Sequence, residues 1–296
     1  MGLHPFLDFG TILPMDFSIH NFSGFVEFAP HFIKRKSIQY VLFDFDGTLS
    51  LVREGWPEVM LPMFVEMLPR KANESDEEMR KLLLDDIMKL NGKQTIYQMM
   101  QLAERIRERG SEPKDPLWYK HEYLRRLDQR IHARKKAILS GEIQQDQHLV
   151  YGARHLLESL TQSGLPVYLA SGTDEPFVKE EARILGIDHY FDGHIYGAQE
   201  DYKSFSKKMV IERILRENNI PGETLMSFGD GYVEIQNTRE VGGLAIAVAS
   251  DEANNGSGKV DGWKRNRLAG VGAEIIIADF RDMDTLLPLL TDQPGF

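Results

Sequence analysis

A doubly wound parallel α/β sheet interrupted by a helical insertion is the architecture this sequence predicts, and three observations predict it. Five short apolar runs recur along the chain, and each of them ends in Asp or Ser. Amphipathic helical patterns lie between the later runs, whereas the stretch 51–149 carries helical patterns only. Short continuous apolar runs mark strands buried on both faces, and strand alternating with helix makes a parallel sheet. Ligands of such sheets bind outside the carboxyl ends of the strands, where these polar residues fall.

Residues 1–36 are rich in Phe, Pro and His, follow no period, and read as an irregular, partly packed extension covering the main domain. The first strand is QYVLFD (39–44). The insertion 51–149 follows, with helical patterns at 58–68, 76–90 and 96–110, and a further one at 115–139 that covers one long helix or two. It leaves and re-enters the sheet beside the polar strand ends, which is the place for a lid-like second domain. A helix at 150–164 leads into the strand LPVYLAS (165–171), and helices at 175–186 and 206–219 precede the strand TLMSFGD (224–230). The strands LAIAVAS (244–250) and AEIIIAD (273–279) complete the set. The domain reading is therefore an extension (1–36), a core (37–50 with 150–296) and an inserted helical domain (51–149).

The 296 residues suffice for one large domain and a smaller one. Hydrophobic residues at 42 % and charged residues at 27 % are ordinary for a soluble protein. No apolar run is long enough to cross a bilayer, and the first residues lack the basic and apolar regions of a secretory signal. Phe6 stands where a myristoylation signal has Ser or Thr. Cysteine is absent, which excludes disulfides, thiolate catalysis and Cys-based zinc sites. A cytoplasmic location fits this composition best. The net charge of −10 argues against nucleic-acid binding, while leaving room for a small anionic substrate met by a few local cations.

The chemistry-bearing residues sit at the strand ends. In DFDGTLS (44–50), Asp44 and Asp46 are two apart on an extended strand and face one side, while Phe45 points into the core. Gly47 permits a sharp turn and Thr48 offers a hydroxyl beside it. Paired carboxylates can bind a hard cation or divide nucleophilic and acid–base roles, though a polar strand-to-loop turn has the same look. Ser171 and Gly172, in SGT (171–173), are small enough for backbone N–H groups to approach a phosphate. Lys207 and Lys208 open a helix, a place suited to an anion. Asp230 closes a strand in FGDG, and Glu234 four residues on would complete an oxygen-ligand set for magnesium.

Taken in this order, the motifs resemble those of the haloacid dehalogenase superfamily, in its phosphatase-type members with a helical cap after the first motif. The resemblance covers residues 39 to about 280, nearly everything but the N-terminal arm. Its specific part is DFDGT; the fourth motif reads GDGYVE instead of the commoner GDxxxD or GDGxND, a departure that touches Glu234 and not Asp230. The resemblance implies a magnesium-dependent enzyme that forms an aspartyl phosphate. Asp44 would be the nucleophile and touch the metal. Asp46 would be the general acid and then the base, with its backbone carbonyl on the metal. Ser171 and the loop N–H groups would hold phosphoryl oxygens, Lys207 would neutralise charge beside Asp44, and Asp230 would bind magnesium. Aligning VIERI with phosphoserine-phosphatase-like sequences favours Lys207 over Lys208. Asp at position 46 separates the chain from the dehalogenases and from the phosphonate-cleaving branch.

In the family the cap selects the substrate. Arg53 falls where a hinge to the cap is expected, and Asn91-Gly92 breaks a helical pattern before Lys93, Gln94 and Thr95. A turn with three polar side chains suits a hydroxylated substrate, although a plain helix–helix connection has equal claim. The run KRNR (264–267) could form another anion-attracting patch, but reads first as a solvated surface loop. The leading expectation is a phosphatase for a small phosphate monoester, a phosphorylated metabolite with a sugar phosphate as first candidate. The rivals are a phosphomutase of the β-phosphoglucomutase type and a non-catalytic binding protein on the same fold. Three repelling acids kept together count against the last.

Overall fold

Each of the five apolar runs forms a strand in the computed structural model, which describes residues 21–293. Seven strands among the described residues make one sheet: β1 (Val26–Phe28), β2 (Tyr40–Phe43), β3 (Val167–Asp174), β4 (Ile195–Ala198), β5 (Leu225–Gly229), β6 (Leu244–Val248) and β7 (Ile275–Ile277). Their order is β1-β7-β6-β5-β2-β3-β4, and every neighbouring pair is parallel except β1 with β7. Strand β2 is central, flanked by β5 and β3, so the motif at its carboxyl end meets the motifs that end its two neighbours.

Side-chain alternation explains why helices cover both faces. Val41 and Phe43 of β2, and Ile246 and Val248 of β6, join one apolar cluster. Leu42 points the other way, towards Val210, Ile211 and Ile214, while Ala245 and Ala247 face Ile235 and Leu268. Phe43 and Phe228 stack 4.9 Å apart, with Phe280 edge-on to both, and all three are fully buried. Each such ring contributes roughly 1.5–3 kcal/mol by leaving water.

The 51–149 stretch after β2 carries four helices: α1 (Pro57–Met67), α2 (Asp76–Lys89), α3 (Thr95–Glu108) and α4 (Pro116–Leu139). A reciprocal Ser75–Glu78 capping box starts α2. The 115–139 pattern is a single helix, capped by Asp115 with Pro116 at its first position. Along α3, Ile96, Met99, Leu102, Ala103 and Ile106 recur at helical spacing and are buried. The remaining helices are α5 (Ala153–Gln162), α6 (Glu175–Ile184), α7 (Lys207–Asn218), α8 (Tyr232–Glu240), α9 (Gly262–Gly270) and α10 (Met283–Leu290).

Three expectations are corrected. The extension is not irregular throughout: residues 26–28 add an antiparallel edge strand to β7. Three residues are too few to show a period, so pairing with β7 decides their conformation. Residues 1–20 lie outside the described residues. Strand β3 does not stop at Ser171 but runs to Asp174 with a shift of register, so the SGT motif belongs to a strand end. The KRNR run is no surface loop. It lies in α9, where the side chain of Asp261 caps the helix and Lys264 is buried.

Candidate active site

The end of β2 turns sharply after Asp46. The N–H groups of Leu49 and Ser50 both donate to the Phe45 carbonyl, and Phe45 itself is fully buried. Gly47 makes the turn with φ +73°, and a Cβ there would stand 2.3 Å from Asp230 Oδ2. Only glycine allows both the left-handed backbone and that approach of two motifs.

Asp44 is 5 % exposed. Its Oδ1 accepts from the Phe45 N–H at 2.8 Å, and its Oδ2 lies 2.8 Å from Lys207 Nζ. Lys207, first residue of α7, also donates to Glu234 Oε2 at 2.9 Å. Glu234 Oε1 accepts from the Gly231 N–H at 2.6 Å, fixing that side chain across the start of α8. Lys208 instead points outwards to Glu240. Asp230 is met from the other side by Lys264, with Nζ 3.0 Å from Oδ2, and Lys264 also reaches Glu252 at 2.6 Å.

One oxygen each from Asp44, Asp230 and Glu234 lie within 4.8 Å of one another, all on buried residues. With Glu252 the cluster holds four carboxylates against the two lysines, which leaves two negative charges unbalanced if all are ionised. Burial, reinforced by Glu234 and Asp230 against the pull of Lys207, pushes the Asp44 carboxyl above the ordinary range. Burial likewise pushes Asp230 up to about 6, with Lys264 opposing. Burial works against the charge on Lys207, but Asp44 and Glu234 outweigh it and keep that amine protonated. A divalent cation held by hard oxygen donors fits this arrangement, because it supplies the missing charge where the acids converge.

Asp46 stands outside that convergence. Its Oδ2 accepts from Thr173 Oγ1 at 2.8 Å and from Ser171 Oγ at 3.3 Å, and its Oδ1 lies 3.7 Å from Arg53 Nε. Arg53 is buried and spends its Nε and Nη2 on Glu181 of α6, at 2.7–3.1 Å. Burial opposes and Arg53 favours ionisation of Glu181, with a net rise from burial. Arg53 is thus braced against the core at the point where the chain leaves β2.

Asp44, Asp46, Ser171, Gly172, Lys207 and Asp230 line one cleft together with Arg53, Lys93 and Thr95. Thr48 is fully buried and is not among the lining residues. The roof comes from the turn between α2 and α3. Gly92 has φ +90°, and a Cβ on it would be 3.0 Å from the Gly231 Cα, so the turn rests directly on the strand end. Gln94 donates to the carbonyls of Tyr202 and Phe205, while Arg267 donates to those of Met88, Lys89 and Asn91. Lys93 Nζ lies 5.5 Å above the Tyr97 ring.

Sequence reasoning missed Thr173, Glu181, Glu252 and Lys264. Glu181 and Glu252 carry no motif and reach the site only through folding. Lys264 did leave a signal: Asp261 is a good N-cap, and a lysine in the first turn opposes the helix dipole unless acids stand against it.

The sequence model of the haloacid dehalogenase-like hydrolases matches residues 38–242. None of the curated proteins matches the sequence. Among solved structures, a predicted phosphatase from Clostridium acetobutylicum is similar with a TM-score of 0.57 and 18 % identity, over 86 % of this chain and 100 % of that one. A predicted phosphoglycolate phosphatase from Haemophilus somnus 129PT gives 0.54 and 15 %, over 84 % and 98 %. A β-phosphoglucomutase from Clostridium difficile gives 0.55 and 13 %, over 85 % and 96 %. At these identities the structures share a fold with this chain.

Proposed function

The chain belongs to the haloacid dehalogenase-like hydrolases, and within that family we propose that it is a magnesium-dependent phosphatase that passes a phosphoryl group through Asp44. The carrying observation is the buried cluster in which Lys207 bridges Asp44 and Glu234 beside Asp230. Burying like charges is costly, and a cluster of this kind gains its use when a cation and an anionic substrate complete it.

Asp44, Asp230 and Glu234 would hold the cation, which would offset the repulsion between carboxylate and phosphate. In the first step a carboxylate oxygen of Asp44 forms a bond to phosphorus as the ester P–O bond breaks. The departing oxygen takes a proton from Asp46, which Thr173 and Ser171 hold at the cleft wall. In the second step Asp46 takes a proton from water, the water oxygen bonds to phosphorus, and the Asp44–phosphorus bond breaks to give inorganic phosphate. Lys207 stabilises negative charge beside Asp44 in both steps. Ser171 and the neighbouring backbone N–H groups are assigned to the phosphoryl oxygens.

Residues 51–149 are assigned as a cap that closes over the cleft, and the substrate is a small phosphorylated metabolite. Among the described residues no helix is long and apolar enough to cross a membrane, and we assign the enzyme to the cytoplasm. Release of inorganic phosphate from a panel of small esters tests the reaction. It is expected to require magnesium, to stop with excess chelator and to be inhibited by calcium, whose larger shell disturbs in-line geometry. Undiminished turnover in chelator would overturn the metal assignment. Isomerisation of a sugar phosphate without phosphate release would identify a mutase instead.

The α2–α3 turn is assigned to the non-reacting part of the substrate, since Lys93 and Thr95 line the roof of the cleft. Lys93→Ala is expected to lower kcat/KM for the physiological ester by roughly 10–100-fold, the loss of one charge-assisted contact. Hydrolysis of p-nitrophenyl phosphate, which does not extend to the roof, should barely change. Equal losses on both esters would place Lys93 in the chemistry or the fold, and no loss on either would remove it from the site.

A further inference from the structure

A second buried lysine touches the site, and the reaction as proposed makes no use of it. Lys264 is the third residue of α9, where the positive end of the helix dipole disfavours a cation. It is nonetheless 7 % exposed. Its Nζ lies 2.6 Å from Glu252 Oε1, 3.0 Å from Asp230 Oδ2 and 3.2 Å from Ser250 Oγ, which accounts for all three of its N–H donors. Ser250 in turn donates to the carbonyl of Gly47 at 2.7 Å, tying the lysine to the catalytic turn. Burial opposes the charge on Lys264, but Asp230 and Glu252 outweigh it and keep the amine protonated.

The placement differs from that of Lys207 in one respect that matters. Lys207 bridges Asp44 and Glu234, two acids of the converging set. Lys264 bridges one acid of that set, Asp230, to one outside it, Glu252. The ammonium therefore has a second carboxylate to hold if Asp230 is taken by another cation. The helix that carries it is pinned, because Arg267 stacks on Tyr232 of α8 and donates to the carbonyls of Met88, Lys89 and Asn91. Any withdrawal of the ammonium is left to the side chain.

We propose that Lys264 is a counter-ion built into the cation site, which satisfies Asp230 and competes with a divalent cation for that carboxylate. Without a cation the ammonium spares the fold an uncompensated buried acid. When a cation binds, the ammonium withdraws onto Glu252 and Ser250, and its residual repulsion sets the affinity. Lys264 is thus a positioning residue acting through Asp230.

The inference rests on the proposed magnesium site. The test is calorimetric titration of magnesium into the parent protein, Lys264→Met and Lys264→Gln at fixed pH, without substrate. Removing a positive charge this close to a divalent cation is expected to tighten binding by about tenfold in both variants. Magnesium should also raise the melting temperature of each variant more than that of the parent, because the variant's Asp230 has lost the cation that touches it. Lys264→Gln can keep hydrogen bonds to Asp230 and Ser250, so it decides the matter if Lys264→Met does not fold. Folded variants that bind magnesium as the parent does, or more weakly, would overturn the counter-ion and make Lys264 a scaffold for Asp230. The absence of binding by every form, parent included, would overturn the magnesium site itself.

Discussion

Asp44→Asn is expected to abolish turnover, by roughly four or more orders of magnitude in kcat, in a protein that still folds. The amide has the shape of the carboxylate, and its oxygen can still accept from the Phe45 N–H. It cannot attack phosphorus. The sign of the stability change follows from the same cluster. Burial, with Glu234 and Asp230 adding to it, holds the folded Asp44 carboxyl above its ordinary pKa, so ionising it costs folding free energy once the pH exceeds the ordinary carboxylate range. Asn removes that cost, and the melting temperature at neutral pH should equal or exceed the parent's. Steady-state assays and thermal melts on one preparation check both statements. Appreciable turnover in a clean preparation would end the role given to Asp44.

Lys207→Ala should cripple the enzyme by roughly 100–1,000-fold, whereas Lys208→Ala should leave activity within about twofold of the parent. The two neighbours differ in what they face. Lys207 is 4 % exposed and holds Asp44 and Glu234 at 2.8 and 2.9 Å, while Lys208 is exposed and pairs with Glu240 at the surface. Loss of Lys207 leaves two buried carboxylates facing each other without their shared cation, so the variant should also melt at a lower temperature. Added magnesium should recover part of that stability and little of the rate, because a cation on the acids does not replace the ammonium beside the phosphoryl group. A reversed ranking of the two alanine variants would put Lys208 in the site and contradict the geometry.

Much of the fold was legible because its signals are local. A buried central strand such as β2 or β6 is a continuous apolar run, and one that ends in an acid marks both the strand and its exposed carboxyl end. The helices of the insertion declare themselves through period and caps, as in the Ser75–Glu78 box. What escaped is what depends on partners far along the chain. Strand β1 has three residues and β4 four, and each takes its conformation from the neighbour it pairs with. The same divide runs through the site. Asp44, Asp46 and Asp230 lie in motifs whose spacing is itself informative. Glu181, paired with Arg53 across 128 residues, has no signature in its own helix beyond an acid among apolar neighbours. Glu252 and Lys264 lie only twelve apart, yet their convergence on Asp230 needs β6, the turn after it and α9 in place.

The steric course at phosphorus separates transfer through Asp44 from direct attack by water. Hydrolysis of a phosphate ester made chiral at phosphorus with oxygen isotopes and sulfur, followed by analysis of the product's configuration, counts the in-line displacements. Transfer to Asp44 and then to water is two displacements, each inverting, and predicts net retention. Net inversion would mean that water attacks the ester directly, and would contradict the aspartyl-phosphate intermediate whatever the behaviour of the variants.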